Sequence, residues 1–165
     1  MSGARFLIGP LGQRDRAGFR CGVEALDRYF QSQVGQDVRR GLAACFVAEE
    51  RDTGRIAGYY TLSAADVPVT ALPADITRKL PRYPTVPVAR VGRLAVDEAF
   101  RGCKLGSALL ASAAGRAAAS DVAVFALIVD AKDEPAAAFY RHHRFIAYGS
   151  AANCLVAPLR SLLLP

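Results

Sequence analysis

One stretch constrains this chain more than any other. A strand-like run, PVARVGRLAV (Pro87 to Val96), leads through RGCKLG into an alanine-rich helix with Leu105, Leu109 and Leu110 on one side. A strand, a glycine-bearing turn and a helix in succession form a unit of α/β architecture. The start of such a helix presents N–H groups without an intrahelical acceptor and a partial positive charge, so the turn before it can cradle phosphates. Arg101, Gly102, Lys104 and Gly106 supply charge and close backbone approach there. The spacing is neither the Walker A pattern nor G-x-G-x-x-G. Glycine at such a joint also serves plain geometry, so the turn alone names no ligand.

The elements around this unit alternate in type. Arg5 to Leu11 reads as a strand and its exit. Val23, Leu26, Phe30, Val34 and Val38 recur at three- and four-residue spacing, which predicts one amphipathic helix between Gly22 and Gly41. AACFVAEE and RIAGYYTLSA read as strands joined by the turn RDTG, and PADITRKL as a short helix among prolines. VAVFALIV (Val122 to Val129) lacks alternation, as expected of a strand covered on both faces. Glu134 to His143 reads as a helix capped by Asp133, with Pro135 in its first turn. Ile146–Tyr148 and Cys154–Ala157 read as closing strands, and the apolar tail LRSLLLP is expected to pack on a sheet or a partner. The expected fold class is α/β (α+β), a single domain over residues 1–165.

Composition narrows the class further. At 165 residues and 52% hydrophobic, the chain is too apolar for disorder and long enough to bury a core. No apolar run reaches the roughly 18–20 residues that span a bilayer. The opening MSGARFLIGP lacks a secretory pattern, so a cytoplasmic location is expected. Cys21, Cys45, Cys103 and Cys154 are widely spaced and His142 and His143 adjacent. Free thiols, surface histidines and no metal site are the expectation. The net charge of +6 fits either solubility or a polyanionic partner.

A second segment carries chemistry, DEPAAAFYRHHRF. Phe139 fits core packing. Tyr140 bears a hydroxyl with an ordinary pKa of about 10, able to protonate a leaving group of similar basicity. A buried structural tyrosine is the competing reading of the same residue.

Taken together, RLAVDEAFRGCKLGSALL and AAAFYRHHRF resemble the GNAT N-acetyltransferase superfamily. FRCGVEALDRYF, YYTLSAADV, PRYPTVPVARVGRLAV and VDAKDEPAAAFY are similar to a narrower group, the TacT-like toxins of bacterial type II toxin–antitoxin modules that acetylate aminoacyl-tRNA. The similarity spans roughly Phe19 to the C-terminus. It implies a mixed sheet of about six to seven strands flanked by about four helices, with a splay between the strands at 87–96 and 122–129. It implies acetyl-CoA as cosubstrate and no metal, with Leu94, Ala95 and Val96 along the pantetheine arm. Arg101, Gly102, Cys103, Lys104, Leu105, Gly106 and Ser107 would hold the pyrophosphate, and Tyr140 would protonate the departing thiolate. It also implies a homodimer, a ribbon–helix–helix antitoxin partner and operator DNA reached through that antitoxin. Two residues depart from the pattern: Lys104 stands for the first glycine of the R-x-x-G-x-G loop, and Arg144 for the glycine before the final phenylalanine.

The location of the charge bears on the acceptor. From Ile76 to Val96 run Arg78, Lys79, Arg82, Arg90 and Arg93 without one acidic residue, and Arg39 and Arg40 end the first helix. An unpaired arginine inside a covered strand is costly, so Arg90 and Arg93 are expected to face a cleft or an anion. These seven are the candidate nucleic-acid contacts, with aminoacyl-tRNA the leading substrate. An acetyltransferase of a small amine or a peptide or protein N-terminus is the alternative. A catalytically silent binding module would rest on Lys104 and Arg144 alone. Glu49 and Glu50 are candidates for a general base only by elimination.

Overall fold

A computed structural model describes residues Ala4 to Leu164. Its seven strands are β1 (Phe6–Pro10), β2 (Ala44–Glu50), β3 (Ile56–Pro68), β4 (Thr85–Val96), β5 (Ala126–Asp130), β6 (Ile146–Ala147) and β7 (Cys154–Pro158). They form one open mixed sheet in the order β1-β2-β3-β4-β5-β7-β6. The helices are α1 (Glu24–Ser32), α2 (Val34–Arg39), α3 (Ala74–Thr77), α4 (Leu105–Ala119), α5 (Glu134–His142) and α6 (Leu159–Leu162). α3, where PADITRKL is expected to be helical, and α6 are single turns. The described residues divide into two compact units, one running to Ser63 and adding Gly92–Ser112, the other joining Ala64–Val91 to the residues from Ala113 on.

In the first unit, β1 and β2 pair antiparallel and β2 pairs antiparallel with β3 through the expected hairpin. Gly54 closes that hairpin at φ 73°, a left-handed geometry that favours glycine. Phe19, Phe30 and Tyr59 fill the core, with Phe30 and Tyr59 stacked at 4.3 Å and Phe19 edge-on to both. The single helix expected over residues 23–38 is instead two. Gln33, at φ −123° and ψ −30°, breaks the α geometry between α1 and α2. The break keeps Val34 wholly buried while Val38 turns outward, and Tyr29 ties the pieces by donating its hydroxyl to Asp37 Oδ2 at 2.8 Å.

The second unit holds a core of Val67, Leu72, Val86, Val88, Ala126, Ile128 and Val156. β4 and β5 run parallel from Val88/Ala126 to Val91/Val129, while β4 itself continues to Val96. β5 starts later than the sequence suggested: Val122 is exposed, and only Ala126 to Val129 are buried as a run. An apolar run marks the buried strand but not where its exposed approach ends. α5 begins as expected, with Asp133 accepting the Ala136 N–H at 2.9 Å.

Candidate active site

The outer part of β4 is held closely by β3. Arg93 N–H donates to the hydroxyl of buried Thr61 at 3.1 Å, and a Cβ at Gly92 would come within 2.9 Å of that same oxygen. A Cβ at Gly58 would fall 2.9 Å from the Ala95 carbonyl and 2.9 Å from Leu109. Glycine at 58 therefore allows β3, β4 and α4 to approach closely at the residue expected to line the pantetheine arm. Ala95 is buried, and Leu94 and Val96 are half-buried.

Past β4 the chain turns on Asp97. Only 4% exposed, this carboxylate accepts the Arg20 N–H at 3.0 Å and the Ala99 N–H at 2.9 Å, while its own N–H donates to Ala57 O at 2.8 Å. The neighbouring Glu98 N–H reaches Arg20 O at 2.8 Å. The Arg101 guanidinium donates to Cys21 O at 2.7 Å, so this side chain pins the turn to the segment before α1. Sequence reasoning missed the part played by Asp97. Its place between a strand and a turn, three residues before an aromatic, is a capping signal that could have pointed to it.

The turn then enters α4. Gly102 and Lys104 have φ of 80° and 60°, and a Cβ at Gly102 would meet nothing within 4 Å. Ala108 N–H to Lys104 O, at 3.3 Å, is a helical bond at the start of α4, so the N–H groups of Leu105 and Gly106 precede it. A 15-residue helix, exposed Lys104 and open backbone at Gly102 make a cradle that fits a pyrophosphate. The loop keeps this form with lysine where the motif has glycine, because Lys104 adopts the left-handed conformation itself.

On α5, Tyr140 is 8% exposed, edge-on to Phe139 at 5.2 Å and Phe145 at 5.3 Å. Burial pushes its hydroxyl up to about 12, so it carries its proton throughout the neutral range. Arg144 closes the helix at φ 75° and donates to Ser161 O at 2.8 Å, allowing Phe145 N–H to reach Tyr140 O at 3.1 Å. Neither departure from the motif disturbs its turn.

The two carboxylates considered as bases are engaged elsewhere. Glu49 accepts from Arg14 at 2.7 Å, and Glu50 from Thr53 at 2.8 Å and Arg5 at 2.9 Å. The hydrogen bond from Thr53, with that from Arg5, holds Glu50 below the ordinary carboxylate range. All four cysteines are free thiols. Among the described residues no cluster of His, Cys, Asp or Glu could hold a metal ion, and no helix is long and apolar enough to cross a membrane.

The basic residues separate on inspection. Arg90, expected to face a cleft or an anion, pairs with Asp130 at 2.8 Å on the next strand. Arg78 pairs with Asp75, an acid just outside the acid-free run. Arg39, Arg40, Lys79 and Arg82 are exposed. Arg93 is half-buried, its guanidinium 3.5 Å above the ring of Tyr29. An ion-pair partner just outside the segment or one strand away is invisible to a reading that counts charge along a single segment.

Comparison with known proteins places this geometry. The model of the acetyltransferase (GNAT) family matches residues 15–145. A tRNA-acetylating toxin of Mycobacterium tuberculosis strain H37Rv is 37% identical over 133 residues, covering 79% of this chain and 78% of that protein. A probable toxin TacT of Sinorhizobium fredii is 25% identical over 131 residues, 77% of this chain and 72% of that one. Among solved structures, AtaT complexed with acetyl-methionyl-tRNAfMet superposes with a TM-score of 0.85 at 29% identity, covering 95% of this chain and 96% of that one. A mutant of KacT superposes at 0.87 and 28% identity, covering 96% and 98%. Matched along most of its length, the chain belongs to the GNAT acetyltransferase family.

Proposed function

We propose that this enzyme transfers the acetyl group of acetyl-CoA to the α-amino group of aminoacyl-tRNA and thereby blocks translation, as the toxin of a toxin–antitoxin pair. The observation that carries this reading is the 37% identity to a tRNA-acetylating toxin over 79% of the chain. The solved AtaT complexes add support: one holds acetyl-methionyl-tRNAfMet and another acetyl-CoA. Residues 1–165 act as one acetyltransferase domain.

Acetyl-CoA supplies the acyl group as an activated thioester. In this reading the backbone of Leu94, Ala95 and Val96 aligns the arm that carries it. Backbone N–H groups from Gly102 to Ser107 take the pyrophosphate, with the Lys104 ammonium beside them and Arg101 fixing the turn from behind. The neutral α-amine forms its bond to the acetyl carbon as the carbon–sulfur bond breaks; the departing sulfur takes the proton of Tyr140, and the proton shed by the acylated nitrogen passes through water to restore the phenol. Burial keeps the Tyr140 hydroxyl protonated at neutral pH, so it can act as the general acid for that sulfur. An α-amine titrates near 8, well below a lysine amine, so enough is neutral at physiological pH without a dedicated base. That suits a chain whose candidate base carboxylates, Glu49 and Glu50, are held in ion pairs.

The nucleic-acid surface in this reading draws on Arg39, Arg40, Arg78, Lys79, Arg82, Arg90 and Arg93. AtaT has been solved bound to the C-terminus of the antitoxin AtaR, and KacTA with DNA. These complexes support an antitoxin partner for this chain; we further propose that it is of the ribbon–helix–helix class and reaches operator DNA, that the enzyme is a homodimer, and that it acts in the cytosol where charged tRNA resides. Incubation with labelled acetyl-CoA and a pool of charged tRNAs tests the reaction. Label on the aminoacyl group is expected; label confined to free amines or peptide N-termini would replace the substrate assignment.

A further inference from the structure

We infer that Arg93, its guanidinium over the ring of Tyr29, is the phosphate anchor for the 3′ acceptor end of the tRNA and so the residue that separates charged tRNA from other amines. The inference rests on the aminoacyl-tRNA reading and assigns one residue of the basic set a distinct task.

Arg93 is half-buried, and no carboxylate lies within ion-pair distance of it among the described residues. The rest of the run differs: Arg90 is paired with Asp130 and Arg78 with Asp75, while Lys79 and Arg82 are exposed to water. A guanidinium drawn partly out of water without a counter-charge is costly. Here an aromatic face meets part of that cost, with the guanidinium carbon 3.5 Å from the Tyr29 ring centre.

The platform is rigid. Tyr29 is buried among Phe30, Val34, Tyr59 and Ala95, and its hydroxyl donates to Asp37 at 2.8 Å. The Arg93 backbone is fixed independently by its N–H to Thr61. A guanidinium anchored at both ends loses little further freedom on binding, and its planar fork suits two phosphate oxygens. Position completes the argument, since Arg93 directly precedes Leu94–Val96. A phosphate held there belongs to the end of the acceptor, near the amine, and not to the body of the tRNA.

Coenzyme A also carries phosphates, so the test separates the two sources. Rates with charged tRNA and with amino-acid methyl esters, which lack phosphate, would be compared for wild type, Arg93→Lys, Arg93→Gln and Tyr29→Leu. Circular dichroism would confirm that each variant folds. Arg93→Gln is expected to lower the ratio of kcat/KM for tRNA to that for esters by roughly ten- to a hundredfold, the size of a lost charge-assisted contact. Arg93→Lys restores part of it, because charge returns without the plane, and Tyr29→Leu lowers the ratio several-fold with the charge intact. An unchanged ratio overturns the anchor, whatever the absolute rates. A rise in KM for acetyl-CoA of the same size assigns the phosphate to the cosubstrate and overturns it too. Wild-type enzyme that acetylates esters but no charged tRNA overturns the aminoacyl-tRNA reading itself, and the anchor with it.

Discussion

Lys104 and Arg144 are the two non-glycine residues among those described that hold a positive φ, 60° and 75°, and each stands where the family motif has glycine. The substitutions have kept the backbone and changed only the side chain. A left-handed conformation costs an L-residue about 1–2 kcal/mol, and glycine gives back part of that relief through its greater freedom in the unfolded chain. Lys104→Gly is therefore expected to gain roughly 0.5–1 kcal/mol, a rise in Tm of about 2 °C by calorimetry. Arg144→Gly gains less, because it also gives up the hydrogen bond to Ser161. If the Lys104 ammonium serves the pyrophosphate as proposed, the stabler Lys104→Gly protein binds acetyl-CoA more weakly, and the two measurements move in opposite directions.

Much of this was legible in the chain. The glycine turn before α4, the Asp133 cap of α5 and the buried run at β5 have local signatures, namely spacing, capping residues and unbroken apolarity. What escaped depends on contacts between distant segments. The break at Gln33 leaves the apolar spacing of 23–38 intact, so periodicity reads straight through it. The pairing of Arg90 with Asp130 spans two strands, and the grip of Asp97 on Arg20 spans 77 residues. Local pattern reports which face of an element is buried; it does not report what that face meets.

Tyr140→Phe is expected to abolish acetyl transfer while leaving the fold and the affinity for acetyl-CoA in place, since the ring alone makes the contacts with Phe139 and Phe145. With its hydroxyl pushed up to about 12, Tyr140 stays protonated well beyond the range in which an α-amine loses its proton. The rate should thus rise with pH as the amine becomes neutral and then hold level to about pH 10, without a falling limb from the tyrosine. A fall that begins near pH 8 would assign the proton to a different donor.

Stability should decline in alkali ahead of any loss of the catalytic proton. Burial pushes the Cys45 thiol up to about 12, and burial with the hydrogen bond to Asp27 pushes Cys21 up to about 11. In the unfolded chain both ionise near their ordinary value of about 8.5. Between those limits the native state binds more protons than the unfolded one, so the stability from neutral burial is complete below about pH 8 and falls as pH rises towards 11–12. Chemical denaturation at pH 7 and pH 10 measures this, and Cys45→Ala should flatten the difference. A midpoint independent of pH across that range would count against both buried thiols.

Asp97 provides the sharpest test of how the proposed cofactor loop is built. Its carboxylate is nearly inaccessible and answers two N–H groups, those of Arg20 and Ala99. Asp97→Ala leaves both without an acceptor, a loss of roughly 2–4 kcal/mol, or a fall in Tm of about 5–10 °C. Asp97→Asn keeps one carbonyl oxygen for Ala99 but turns an amide donor towards the Arg20 N–H, so about half the loss should remain. Stability alone would not set Asp97 apart from other buried residues. What does is its position: the turn it caps carries Glu98 and Arg101, which bind the backbone of Arg20 and Cys21 and so fix where α4 begins. KM for acetyl-CoA should therefore rise from wild type to Asn to Ala at a temperature where all three are folded, with kcat changing less. Equal KM values across the series would mean that the loop holds its shape without Asp97.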